Sequence, residues 1–139
     1  MAQPGNPASN GSSSNSSTRL DLNQFDFELD FYSGILKQNP NYVDVLRAVG
    51  SLLSLKGLFA EGLKVDRRLV KLRPEDALAH YNLACSYARL NRANQSIKTL
   101  RRAVELGYRD FRFIWEDADF DVIREDPRFR KLMTEFEDA

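Results

Sequence analysis

The sequence predicts an all-α protein built from successive helix pairs, and three observations predict it. Apolar residues recur at helical spacing. That pattern repeats with a period of 34 residues. Residues that end helices fall at the ends of the apolar runs. Leu46, Val49, Gly50 and Leu53 stand at i, i+3, i+4 and i+7, and so do His80, Leu83, Ala84 and Tyr87, which places each set on one helix face. Pro40 and Pro74 are 34 apart. At the same spacing Phe25 maps to Phe59, Leu29 to Leu63 and Ile97, and Ile35 to Leu69 and Ala103. Gly57 maps to Asn91, and both residue types tolerate the left-handed backbone that closes a helix. Self-similarity at such a period marks a repeat architecture.

Taken in order, the elements begin with a tail. Residues 1–18 hold six Ser, three Asn, two Gly and two Pro and no charged side chain, so they are expected to be disordered. A Ser-rich, acid-free stretch has part of the composition of a plastid transit peptide, but with a single Arg, Arg19, near it a transit peptide is not expected. Helices are expected at about 24–38, 42–56, 59–72, 76–90 and 93–106, with ends uncertain by about 2–4 residues. Asn41 and Asp76 are candidate N-caps. Residues 19–139 are read as one domain: a half repeat at 24–40, repeats at 43–74 and 77–108, and capping helices over 109–139. Asp126-Pro127 fits an N-cap and first helical residue. Phe111, Ile114, Trp115, Phe120, Val122, Ile123, Phe129, Leu132, Met133 and Phe136 supply an apolar face to cover the last repeat, which a solenoid requires.

A 34-residue helix-turn-helix period, with the run Ala79-His-Tyr-Asn-Leu-Ala-Cys-Ser-Tyr-Ala, resembles the tetratricopeptide repeat. The resemblance implies a right-handed superhelix of antiparallel helix pairs, about seven helices in all. It also implies a non-catalytic scaffold or adaptor whose first helices line a concave groove for a partner's peptide. Carried over position by position, the groove residues are Asp44, Arg47, Ser51, Leu55, Leu78, Tyr81, Asn82, Cys85 and Arg89. Arg47 and Arg89 could hold carboxylates in a fork, Asn82 could bond a peptide backbone, and Tyr81 offers area with a polar tip. Some relatives clamp chaperone C-termini here. Asn82 matches one clamp position, but Ser51 stands where a second Asn is usual and a third full repeat is missing, so that binding is not expected.

Composition narrows the function classes. Twenty basic and twenty acidic residues cancel, which argues against whole-chain attraction to nucleic acid or membrane. No apolar run is long enough to span a bilayer, and a cytoplasmic location is expected. One cysteine and one histidine rule out an internal disulfide and two-His metal motifs. His80 and Cys85 lie five apart on one helix and do not share a face, so they read as packing residues. No enzyme, cofactor or metal site is expected. Asp117, Asp119 and Asp121 imitate the start of a calcium loop, but Val122 replaces its Gly and Arg128 its Glu.

Three further features stand out. Asp66 occupies a position that the repeat fills with a large apolar residue. It is expected to be buried and bonded to His80 or Tyr81, or paired with Arg68 or Arg47, because an unpaired buried charge is costly. Lys64, Arg67, Arg68 and Lys71, with Lys98, Arg101 and Arg102 at the same repeat positions, share one helix face, which the tetratricopeptide resemblance implies is the basic outer face. That face is either solvated and partly neutralised by the acidic cap or a patch for RNA or another anionic partner; no aromatics interleave it as stacking platforms. The half repeat lacks its first helix, so self-association through its open side is the third possibility.

Overall fold

Helix boundaries in the computed structural model follow the punctuation of the sequence. The structure describes residues 7–137, with side chains described for 23–136. Helix α1 spans Pro7–Gln38, α2 Val43–Leu55, α3 Phe59–Leu72, α4 Ala77–Arg89 and α5 Ala93–Glu105. Helix α6 spans Phe111–Glu116, a single 3-10 turn spans Ala118–Phe120, and α7 spans Pro127–Glu137. Among the described residues there is no strand. Two compact units are distinguished, one ending at Pro40 and one running Asn41–Ala139.

In the first unit, α1 begins at Pro7, not near residue 24. Of the tail expected at residues 1–18, residues 1–6 lie outside the described residues. Proline suits a first helical position, and no further proline interrupts the chain until Pro40. Ser and Asn cost only a fraction of a kcal/mol each in a helix, roughly 0.5 relative to Ala. Phe27 and Phe31 are 68% and 59% exposed.

In the second unit, short turns join α2 to α3, α3 to α4 and α4 to α5, and each helix packs on the next. Gly57 and Asn91 take φ of 75° and 60°, as their shared repeat position predicts. Both helix ends close in the same way. Leu58 N–H donates to the Leu53 carbonyl at 2.9 Å and Gly57 N–H to Ser54 at 3.0 Å; Arg92 donates to Tyr87 and Asn91 to Ala88, both at 2.9 Å. These are the paired bonds of a Schellman cap, which satisfy the last carbonyls. Asp76 caps α4 by accepting from Ala79 N–H. Asn41 does not cap α2: Tyr42 holds that position, and the Asn41 side chain accepts from Arg68 at 2.6 Å.

The core lies where the C-terminal segment folds onto the last repeat. Ile114, Phe120, Ile123, Phe129, Leu132 and Met133 are fully buried and join Ala84, Leu100, Ala103 and Val104. Phe111, Trp115 and Phe136 pack at its edge. Val122 departs from expectation at 56% exposed. It sits in the tight turns after the 3-10 segment, where chain direction and not helical period decides which side chains point inward. His80 is buried, with a ring nitrogen 2.8 Å from the Pro74 carbonyl, a packing role.

Candidate functional site

A cleft of about 400 Å³ opens between α2, α3 and α4. Six of the nine sequence-predicted groove residues line it: Arg47, Ser51, Leu55, Leu78, Asn82 and Arg89. Helical spacing brings them together, since positions four apart share a face. Leu55 and Leu78 are large apolar side chains 64% and 51% exposed, and Phe59 lies with them in the wall. Asn82 is exposed. The site is thus apolar at its sides with a few polar groups, the general character of a recognition pocket.

Asp66 and Ser86 also line the cleft, and neither was among the groove residues expected from the sequence. The Ser86 hydroxyl donates to the Asp66 carboxylate at 2.5 Å. The expected partners of Asp66 are engaged elsewhere: His80 with Pro74, Tyr81 with Asp117, and Arg47 with Asp76. Half-burial pushes the Asp66 carboxyl above its ordinary value, opposed by the Ser86 bond and by the charge of Arg89. Gly50 stands next to the carboxylate, and a Cβ there would lie in ordinary contact with Asp66 Oδ1 at 3.4 Å.

The two arginines are not free to act as forks for a partner's carboxylate. Arg47 pairs with Asp76 at 2.7 Å, and this bond holds the Asp76 carboxyl below its ordinary value. Arg89 pairs with Asp119 at 2.9 Å and lies 5.1 Å from the Phe59 ring centre, in cation–π range.

Tyr81 and Cys85 do not face the cleft. Both are 3% exposed, because the capping segment folds over that side of α4. Tyr81 stacks on Tyr108 with ring centres 4.3 Å apart and donates to Asp117 at 2.5 Å. Cys85 Sγ lies 3.8 Å from the same carboxylate. Burial pushes the phenol and the thiol well above their ordinary values, with the neighbouring acids adding to it. Asp44 is exposed in the first turn of α2 and does not line the cleft.

Cys85, Asp117 and Asp119 each bring one ligand atom within 4.8 Å of the others, a spacing a cation could use. Tyr81 and Arg89 already bond those carboxylates, and Asp117 also caps the 3-10 turn by accepting from Asp119 N–H at 3.0 Å. The group works as a polar latch between α4 and the cap. Asp121 bonds Arg124.

On the outer face Lys64, Arg67, Arg68, Lys71, Lys98 and Arg102 are exposed and Arg101 half-buried. Arg101 pairs with Glu135 of the cap at 3.0 Å and Arg102 with Glu105 at 3.5 Å, so the second repeat's share of this face is partly neutralised.

Comparison with known proteins gives the fold a context. No family model matches the chain. A chloroplastic protein of Arabidopsis thaliana is 30% identical over 93 residues, which is 65% of this chain and 28% of that protein. The chain therefore spans little more than a quarter of this relative. Three solved structures of MamA share the fold at a TM-score of 0.67: an ArsTM double mutant of the RS-1 protein, a 41-end form from Desulfovibrio magneticus RS-1, and a further MamA crystal structure. They are 18–20% identical and match 86–88% of this chain and 69–70% of theirs. The fold is all-helical, with seven α-helices among the described residues, and it is that of a tetratricopeptide-like helical solenoid.

Proposed function

We propose that this chain is a non-catalytic protein-interaction module that holds a peptide segment of a partner in the cleft between α2, α3 and α4. The observation that carries the reading is the cleft itself, about 400 Å³ in volume, with Leu55 and Leu78 left exposed beside Asn82. A concavity walled by apolar side chains with a few polar groups has the general character of a recognition site. The solenoid fold supports the same reading. A random peptide library displayed against the full chain tests it. Wild type is expected to retain a family of related sequences, and Leu55→Ser with Leu78→Ser is expected to lose them. Retention by the double variant would reject the cleft.

Self-association is a second reading, favoured by one observation, the exposed Phe27 and Phe31 one turn apart on α1. Light scattering at rising concentration tests it, and a constant monomer mass rejects it. The basic outer face gives less support to an RNA-binding reading, because Arg101 is paired with Glu135 of the cap and Arg102 with Glu105.

Among the described residues no helix is long and apolar enough to cross a membrane. For location, the relative's name says chloroplastic, and residues 1–18 are rich in Ser and free of acids. Both favour a plastid over the cytoplasm. A fluorescent fusion of the full chain in leaf cells would show chloroplast signal if so, and diffuse cytosolic signal if not.

A further inference from the structure

Three charged groups meet the cleft: Arg47, Asp66 and Arg89. Two of them are matched elsewhere. Arg47 has Asp76 at 2.7 Å and Arg89 has Asp119 at 2.9 Å. Asp66 has no such match, since among the described residues no Lys or Arg nitrogen comes within ion-pair distance of it. Its single side-chain donor is the Ser86 hydroxyl, whereas a carboxylate can accept about four hydrogen bonds. The charge left over in the cleft is therefore negative, and it shares the cleft with the apolar side chains of Leu55, Leu78 and Phe59.

We infer that the cleft recognises a peptide carrying a Lys or Arg beside an apolar residue, with the basic head on Asp66 and its stem along Leu55 and Leu78. The inference rests on the peptide-binding reading and specifies its ligand. Charge complementarity commits it to a cation, and the wall suits the methylene stem of such a side chain. A cleft of about 400 Å³ has room for a basic side chain and an apolar neighbour. Gly50 leaves the Oδ1 side of the carboxylate uncovered by any Cβ from α2. Burial already penalises the bare carboxylate, so a bound cation relieves a cost that the free protein carries.

The test uses the peptides retained by the full chain from a random library. Sequences kept by wild type are expected to be enriched in Lys or Arg next to an apolar residue. Replacing that basic residue by norleucine is expected to weaken binding to wild type by about tenfold or more, as for other desolvated charge pairs. The same replacement should change binding to Asp66→Asn by less than about twofold. Asn keeps an acceptor for Ser86, and its thermal midpoint is checked so that unfolding is not mistaken for lost recognition. Peptides that depend on Leu78 but show no basic preference, or that bind wild type and Asp66→Asn alike, would overturn the inference and leave the peptide reading standing. If no peptide is retained, both fall.

Discussion

The phenol of Tyr81 on α4 donates to the carboxylate of Asp117, ahead of the 3-10 turn, at 2.5 Å. Thirty-six residues separate them in sequence. This bond, with Arg89–Asp119 beside it, fixes the cap to one side of α4 and leaves the other side to the cleft.

Tyr81→Phe removes the donor while keeping the ring stacked on Tyr108. A hydrogen bond to a charged group is worth about 1.5–3 kcal/mol, so the variant is expected to be destabilised by about that amount. Thermal or urea denaturation checks it, and an unchanged midpoint would mean that the latch contributes nothing to folding.

Asp66→Asn is expected to stabilise the protein at neutral pH. The folded-state carboxyl value lies above the ordinary one, so stability from this group is fully present below the unfolded value and is lost as pH rises through the folded one. The amide carries no such loss. Its advantage over wild type should shrink towards zero as the pH falls below the unfolded carboxylate value. Denaturation midpoints across pH read this directly, and a gap that widens in acid would reverse the sign.

Gly50→Ala should fold. The added Cβ meets Asp66 Oδ1 at 3.4 Å and Val65 Cγ1 at 3.5 Å, ordinary contact distances, and Ala is preferred to Gly in a helix interior by about 0.5–1 kcal/mol. A small rise in the melting midpoint is the expected outcome, together with weaker binding of basic peptides, because the methyl narrows the approach to Asp66.

Cys85 should resist thiol reagents in the folded protein. It is 3% exposed, and burial pushes its thiol well above the ordinary value, so little nucleophilic thiolate is present. A colorimetric thiol assay is expected to read near zero in buffer and one thiol per chain in denaturant. Rapid reaction in buffer would show that the cap opens.

Much of this fold was legible in the sequence because one physical signal repeats. The 34-residue spacing aligned Gly57 with Asn91 and placed α2 to α5 within a residue of their observed ends. The resemblance to the tetratricopeptide repeat, carried over position by position, named Arg47, Ser51, Leu55, Leu78, Asn82 and Arg89, and these six line the cleft. The fate of Tyr81 and Cys85 was not legible. It depends on the path of the chain after Gly107, where the period stops and three-dimensional packing decides which face of α4 is covered. Asp117 caps the 3-10 turn, but the reach of Asp117 and Asp119 back to Tyr81 and Arg89 leaves no trace in spacing. Asp66 was visible as an anomaly. Its partner Ser86 was hidden because a small hydroxyl residue is unremarkable in a helix.

The most direct test of the cleft as the working surface is an amide chemical-shift map of the full chain during titration with a library-selected peptide. The largest shifts are expected at Ser51, Leu55, Leu78, Asn82 and Ser86. Shifts concentrated on Lys64, Arg67 and Lys71, or on Phe27 and Phe31, with the cleft unmoved, would contradict it.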